Sequence, residues 1–279
     1  MKSLLLACLI LLSSQFATAV DITNVAEIAT PPKYDMRKND FKWFQFNLIN
    51  STDNKIPFGL QNDNYFEMEF GGRSGILDLY GFLDVYDIFD SNTSDYHGGD
   101  NFFLKFMPRF SLDVMAGKSL ALGPFKEWYI TTLFYAADRG LFQQYIGPGT
   151  DIEVPWFGKV GANLLARYVR ENFGAANERR WDGYFLTLNW FTPFYHFQNK
   201  SYLTYQGYFD HMFGADEIAD DVNRSDSSVG WLNGLFWHTD RYAAGYALKI
   251  YQDFALFKDG GIGGDTSGVG HYFFLTYKF

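Results

Sequence analysis

Charged and tyrosine side chains recur at intervals of two residues along this chain, and their chemistry suits the binding of small polar rings. Asp78 stands two residues before Tyr80, and Glu127 two residues before Tyr129. Residues two apart on a β-strand share one face, so each acid would lie beside an aromatic ring. Carboxylates and guanidinium groups hydrogen-bond to hydroxyls and ring nitrogens, and aromatic faces stack on flat rings. We therefore expect a solute-binding surface composed of Asp78, Tyr80, Lys105, Arg109, Glu127, Tyr129, Arg167, Tyr208, Asp210 and Lys249.

Each of these charges also has a structural interpretation, an ion pair that braces the wall from which it projects. Buried charges are usually paired, so the brace is the simpler interpretation of any single residue. The ensemble of acids, bases and aromatic rings favours a selective pore instead, because weak binding at several sites lets a solute leave as well as enter.

Twelve segments with alternating polarity predict the strands that position these side chains. In the last of them Phe273, Leu275, Tyr277 and Phe279 share one face. Several segments are about ten residues long, which is the length of a tilted transmembrane strand. The predicted strands are 42–50, 65–70, 76–86, 102–112, 126–135, 145–154, 159–170, 181–191, 201–213, 231–237, 242–251 and 268–279.

The connections between these segments alternate between longer polar loops and mostly shorter turns, which is the pattern of outer-membrane barrels. The turn at 113–125 is longer than this pattern favours. A soluble sandwich would alternate in the same way, with its charged faces in water. The terminal Phe279 and the loop pattern favour the membrane. The predicted fold is all-β, a single transmembrane antiparallel up-and-down β-barrel of about twelve strands, closed by pairing of 268–279 with the first strand.

The N-terminal residues predict export. Lys2 precedes an apolar stretch from Leu4 to Leu12, and Ala17-Thr18-Ala19 forms a cleavage motif. This pattern predicts a signal peptide at 1–19, removed after Ala19. Residues 20–41 show no clear period and are expected to form a periplasmic N-terminal segment or a plug, followed by the barrel at 42–279. Cys8 is the only cysteine, so the mature chain is expected to contain no disulfide and no thiolate metal site.

The amino-acid composition indicates which classes of partner the protein has. Aromatic residues make up 20% of the 279-residue chain, with 30 Phe and 19 Tyr, as expected for a barrel with lipid-facing strands and aromatic girdles. The lipid bilayer is therefore an expected partner. The formal charge of −9 argues against nucleic acid.

Other functional classes find less support. The five histidines, of which His196 and His238 are expected in turns, lie in no recognisable nucleophile motif, so we predict no enzyme. Asp259 and Asp265 lack the spacing of an EF-hand, and neither a metal nor a cofactor is predicted. The acidic connection 214–230 suits either a solvated loop or the contact surface of a receptor.

Several motifs in consistent order resemble the Tsx family of nucleoside-specific outer-membrane channels. They are DLYGF at 78–82, PRFSLD at 108–113, LGPFKEWY at 122–129 and NFGAANERRWDGY at 172–184. Other segments are more similar to the OmpK branch of that family, among them MEFGGRSGILDLYG at 68–81, PWFGKVG at 155–161, WHTDRYAAGY at 237–246 and GHYFFLTYKF at 270–279.

The resemblance implies a monomeric twelve-stranded barrel that passes nucleosides by diffusion and also serves bacteriophages as a receptor. Its motifs assign functional roles to Asp78, Tyr80, Arg109, Glu127 and Tyr129. Strand parity places Asp182 of the WDGY motif on the outward face, where it would be part of the rim.

We therefore predict a channel of the cell outer membrane for passive, selective diffusion of nucleosides and similar small solutes. The alternative is a surface protein that acts mainly as a bacteriophage receptor, or a general small-solute pore. The outer-membrane assembly machinery is an expected partner during insertion.

Overall fold

Twelve antiparallel strands form a closed barrel in the computed structural model, which describes residues 34–58, 62–89, 102–138 and 140–279. Each strand pairs with its neighbours in sequence, and β12 pairs with β1. The strands are β1 Phe41–Thr52, β2 Asp63–Ser74, β3 Leu77–Val85, β4 Phe102–Ser111, β5 Phe125–Ala137, β6 Leu141–Val154, β7 Gly158–Asn172, β8 Arg180–His196, β9 Tyr202–Phe213, β10 Ser227–His238, β11 Tyr242–Gln252 and β12 Gly268–Lys278. The predicted all-β barrel and its closing seam are confirmed. The predicted signal peptide and residues 20–33 lie outside the described residues.

The two ends of the barrel differ in their connections. We call the end that holds Phe41 and Lys278 the inner rim; its turns include 75–76, 155–157 and 239–241. The opposite end, the outer rim, carries the connections 53–62, 173–179, 214–226 and 253–267. His196 and His238, expected in turns, are instead the last residues of β8 and β10. Strand pairing there extends to the final residue before each turn.

The closing strand shows which face of the wall meets lipid. Phe273 and Leu275 on β12 are 52% and 62% exposed. Tyr272, the residue before Phe273, lines the lumen and is only 4% exposed. The outward face is thus apolar and exposed, whereas the buried inward face carries the charged side chains, which is the reverse of a soluble sandwich with a dry core. Among the described residues, no helix is long and apolar enough to cross a membrane.

The long inner turn between β4 and β5 contains a short helix, α1, Leu112–Ala116. Ser111 caps it by accepting a hydrogen bond from the Val114 N–H, and Gly117 ends it with a φ of 62°. The Asp113 carboxylate accepts from the backbone N–H groups of Leu120 and Trp128 at 2.7 and 3.1 Å. The two caps provide hydrogen bonds for backbone groups at the helix ends, and the Asp113 bonds hold the turn against β5.

A β-bulge at the start of β8 reverses one predicted side-chain direction. Asp182 and Gly183 together lie opposite Arg167, because Tyr168 pairs with Trp181 while Ala166 pairs with Tyr184. The extra residue shifts the alternation, so Asp182 points inward and is only 3% exposed. The prediction that Asp182 faces outward is therefore wrong.

Candidate functional site: the barrel lumen

A cavity of about 1700 Å³ occupies the lumen and is lined by side chains from both rims. Phe41 and Lys278 line it at the inner rim, and Asp221 and Ile262 at the outer rim. Of the ten predicted side chains, those that line it are Asp78, Tyr80, Lys105, Arg109, Arg167, Tyr208, Asp210 and Lys249.

Glu127 and Tyr129 do not line the cavity, although strand parity places them on its side of the wall. Glu127 accepts a hydrogen bond from Arg73 Nη2 at 2.5 Å and another from the Ser111 hydroxyl. Arg73 also donates to the Tyr129 hydroxyl at 3.2 Å. Both predicted residues are at least nine-tenths buried because these partners cover them.

Arg109 extends this network along the inner rim. Its Nε donates to Asp78 at 2.8 Å and its Nη1 to Asp151 at 3.0 Å. The guanidinium carbon lies 4.0 Å from the centroid of the Tyr129 ring, and the Tyr129 hydroxyl donates to Asp151 at 3.1 Å. We call this network the inner-rim brace; it consists of Arg73, Asp78, Arg109, Glu127, Tyr129 and Asp151. It joins strands β2 to β6, so its charges are used for structure.

Arg167 is held in a second network at the outer rim. Its Nη1 lies 3.6 Å from Asp182 Oδ2 and donates to the Asp182 carbonyl at 3.2 Å, while its Nε donates to Gln143 at 3.1 Å. Asp182 also accepts from the Asn177 amide at 2.7 Å and from the Glu217 backbone N–H at 3.1 Å. The inward Asp182 is thus the partner that a buried Arg167 requires.

An ion pair crosses the lumen between Lys105 on β4 and Asp210 on β9, with 3.6 Å between Nζ and Oδ2. These strands are not neighbours in the wall, so the pair reaches across the interior. The Lys105 ammonium lies 5.6 Å from the Tyr135 ring and 5.8 Å from the Tyr208 ring. We call this pair the crossbar.

Lys249 on β11 differs from Lys105, Arg109 and Arg167 because, among the described residues, it has no carboxylate within ion-pair distance. Its ammonium contacts aromatic rings. Its ammonium lies 4.5 Å from the Phe254 centroid, 4.7 Å from Tyr251, 5.8 Å from Tyr208 and 6.0 Å from Tyr272. Cation–π contacts stabilise an ammonium only partly, so this group keeps hydrogen-bonding capacity. We call Lys249 and these four rings the Lys249 pocket.

The lumen carboxylates Glu67, Glu69 and Asp84 were missing from the predicted site. Glu67 accepts from the Asn47 amide at 2.6 Å, and Glu69 accepts from the Tyr80 hydroxyl at 2.8 Å. Asp84 has one buried oxygen, Oδ1, without a hydrogen-bond partner. Glu67 and Glu69 alternate with Phe66, Met68 and Phe70, so parity within the segment 65–70 carried the signal that would have found two of them.

Two apolar clusters occupy much of the remaining lumen wall. One lies on β4 to β8, and the other lies on β1, β11 and β12. Tyr135 and Tyr145 of the first cluster pack on Phe185 with centroid distances of 6.0 and 5.3 Å. Tyr135 and Phe185 line the cavity, so this part of its wall is aromatic.

Comparison with known proteins identifies the family. The family model described as nucleoside-specific channel-forming protein, Tsx, matches residues 38–279. The chain belongs to this family. An outer membrane protein OmpK of Vibrio parahaemolyticus is 44% identical over 248 residues, which cover 88% of this chain and 90% of that protein. A nucleoside-specific channel-forming protein Tsx of Salmonella typhimurium is 29% identical over 255 residues, covering 85% and 88%.

Within the family, the higher identity to the OmpK protein confirms the predicted similarity to that branch. The family and its relatives named as outer membrane proteins, together with the barrel, place this chain in the outer membrane. The inner rim therefore faces the periplasm, and the outer rim faces the outside of the cell. A solved KdgM porin shares 8% sequence identity with a TM-score of 0.46 over 84% of this chain and 99% of that one, which is too distant to bear on function.

Proposed function

We propose that this protein is an outer-membrane channel through which nucleosides and similar small solutes diffuse passively, held briefly by aromatic and charged groups in its lumen. The observation that carries the proposal is the Lys249 pocket, a lumen cation beside four rings within a cavity that reaches both rims. The relatives named as nucleoside-specific channels support the same substrate class.

The Lys249 pocket combines the two interactions that a nucleoside offers. Its tyrosine and phenylalanine rings provide faces on which a base stacks, and the ammonium donates hydrogen bonds to base or sugar oxygens. Such contacts are individually weak, so a solute bound here also dissociates quickly enough to pass.

Carboxylates near this pocket supply the acceptors. Asp84 and Asp210 each have a buried Oδ1 without a hydrogen-bond partner. Unpaired buried acceptors favour any solute that brings hydroxyl or amino donors, as ribose and the bases do. The crossbar fixes Lys105 and Asp210 at the same part of the lumen, whereas the inner-rim brace supports the wall.

Planar-bilayer conductance tests this proposal. We expect adenosine to block the open-channel current at concentrations where a sugar of similar mass has no effect. Lys249→Met should raise the half-blocking concentration severalfold, because it removes the donor and its charge while keeping an apolar chain between the rings.

Lys126→Met is the matched control. Lys126 is exposed at the inner rim, donates to the Gly123 carbonyl at 3.0 Å and is not among the residues that line the cavity. Equal block by adenosine and the sugar would leave a general pore, and unchanged block in Lys249→Met would remove the pocket from the binding path.

The finer expectations stay predictions. The family resemblance implies that the channel works as a monomer and that bacteriophages bind its outer rim. The localisation implies that the outer-membrane assembly machinery inserts it, and the lack of a nucleophile motif around its histidines implies that it performs no catalysis.

A further inference from the structure

Arg224, in the outer-rim connection between β9 and β10, is a buried charge that no described acid neutralises at ion-pair distance. It is 6% exposed, and its Nε is buried without a hydrogen-bond partner. The other buried outer-rim guanidinium, Arg167, has Asp182 and Gln143 as partners. An unpaired buried guanidinium is costly, so its retention in this position calls for an explanation.

Backbone hydrogen bonds fix Arg224 in place. The Ser225 N–H donates to the Leu256 carbonyl at 3.0 Å and the Lys258 N–H to the Asn223 carbonyl at 2.9 Å, which joins the two outer connections. The guanidinium carbon then lies 3.8 Å from the centroid of the Phe257 ring. The planar donor group is therefore pre-oriented by stacking on one face.

The charge persists at neutral pH. Burial lowers the pKa of Arg224 to about 10, and the neighbouring Arg167 acts in the same direction while Asp221 opposes it. The group remains protonated in any physiological medium and keeps its five donors.

The charges around Arg224 indicate which kind of hydrogen-bond acceptor on a solute it would bind. Arg224 and Phe257 line the cavity together with Glu217, Asp220 and Asp221. These carboxylates would repel a phosphate or carboxylate at the mouth, whereas an uncharged carbonyl oxygen meets no such repulsion.

We propose that Arg224 donates hydrogen bonds to a carbonyl oxygen of the nucleobase as a nucleoside enters from the outer rim, so that the channel favours oxo bases over amino bases. This inference rests on the proposed nucleoside channel and names a specificity-determining residue for it. The Phe257 ring that stacks on Arg224, with the Phe58 ring 5.0 Å from it, supplies apolar surface beside the donor.

Inosine and adenosine provide the test, because they share the ribose and the purine skeleton. Inosine has a carbonyl at position 6 with a proton on N1, and adenosine has an amino group there with an unprotonated N1. For the unaltered protein in planar bilayers, we expect a half-blocking concentration about tenfold lower for inosine, the effect of one hydrogen bond to a charged donor. Equal half-blocking concentrations would overturn the proposal, and this comparison needs no variant that has to fold.

Arg224→Met should abolish the preference for inosine over adenosine, so that the two half-blocking concentrations become equal. Arg180→Met is the control, since Arg180 is an exposed outer-rim arginine paired with Glu217 at 2.5 Å and is not among the cavity-lining residues. A preference that survives in Arg224→Met, or disappears equally in Arg180→Met, would contradict the assignment.

Adenosine monophosphate separates the two kinds of acceptor. If it blocks more strongly than inosine and only when Arg224 is present, the site takes an oxyanion and the oxo-base proposal fails. If neither nucleoside blocks the unaltered protein, the proposed channel function itself fails. If both nucleosides block it equally, only the preference for oxo bases fails.

Discussion

The lumen-side cations of this barrel fall into two groups. Some form ion pairs with carboxylates, and others have donors that are free to form hydrogen bonds with a solute. Arg73, Arg109 and Arg167 each have carboxylate partners within 3.6 Å. Within the described part of the chain, the Lys249 ammonium has ring contacts and no carboxylate at ion-pair distance, and Arg224 is stacked on Phe257. Charges without a protein partner are the ones available to a solute, and this distinction revises the roles first expected from the sequence.

Glu127→Gln tests the structural role of the inner-rim brace. The change leaves Arg73 buried without its counter-ion and should lower the free energy of unfolding by about 3–5 kcal/mol. Urea unfolding in lipid vesicles, followed by tryptophan fluorescence, measures the loss. Block by adenosine should be unchanged, because Glu127 does not line the cavity.

Glu153→Gln serves as the control for that experiment. Glu153 is exposed near the same rim, and surface substitutions usually change stability by less than about 0.5 kcal/mol. Equal loss in both variants would show that the brace contributes no special stability.

Sequence parity placed Asp78, Arg109, Glu127 and Tyr129 on the lumen side of their strands, and it did not reveal their partners. Arg73 stands beside Gly71, Gly72 and Gly75, and the sequence predicted a turn there. In the structure β2 continues to Ser74, so Arg73 lies on the strand and reaches Glu127 three strands away. A contact between non-neighbouring strands depends on barrel curvature, which alternation within one strand does not encode.

At the scale of the element, the bulge in β8 determines the direction of a whole strand end. Gly183 has a φ of 80°, and a Cβ placed there would lie 2.7 Å from the Phe213 carbonyl oxygen. Only glycine fits both constraints, and the resulting bulge turns Asp182 toward Arg167. Parity counting failed here because one extra residue inverts every assignment beyond it.

Gly183→Ala should therefore destabilise the barrel by more than about 2 kcal/mol, through backbone strain and the clash with Phe213 together. Gly174→Ala is the matched variant, since Gly174 has a φ of 78° with no atom within 4 Å of its added Cβ. It should lose only about 1 kcal/mol, from the positive φ alone. Similar unfolding midpoints for the two variants would contradict the bulge argument.

The connection between β7 and β8 should loosen in acid. The Glu178 carboxylate accepts from the backbone N–H groups of Asn172 at 2.7 Å and Gly174 at 2.8 Å, and these bonds lower the pKa of Glu178. A lowered pKa means that its stabilisation is complete above the ordinary value of about 4.3 and disappears as the pH falls through the folded value.

Hydrogen exchange at the Gly174 amide measures this change. The ratio of exchange rates between Glu178→Gln and the unaltered protein should be largest near neutral pH and approach one as the pH falls through the lowered pKa of Glu178. Taking the ratio removes the intrinsic pH dependence of exchange. A ratio independent of pH would exclude the carboxylate as the loop's acid-sensitive contact.

At the scale of the whole molecule, the wall is apolar outside and polar within. Trp237 on β10 is 41% exposed on the outward face, whereas Trp43 on β1 lines the cavity and packs 6.3 Å from the Tyr80 ring. This arrangement follows from period-two alternation, which is why strand number, faces and closure could be predicted from the sequence. The internal structure of irregular connections such as 112–124, which contains α1, could not, because side-chain caps determine it.

Two single-tryptophan proteins in brominated-lipid vesicles test the arrangement, one keeping Trp237 and the other Trp43, with the remaining tryptophans replaced by Phe. Bromine quenches fluorescence only at short range, so Trp237 should be strongly quenched and Trp43 weakly. The reverse order would show that the assignment of lipid and lumen faces is wrong.

The seam between β1 and β12 has a consequence for chain connectivity. Asn47 accepts a hydrogen bond from Thr276 across a sequence separation of 229 residues, and the Phe279 N–H donates to the Phe44 carbonyl at 3.1 Å. All other strand pairings join sequence neighbours, so the circle of strands has a single non-local strand pairing. A circular permutant that joins the ends at this seam and opens the chain at 239–241 would retain every pairing. The strands of the closed wall therefore form a circle in which none is structurally the first. The position of the chain termini alone determines which two strands form the non-local pairing.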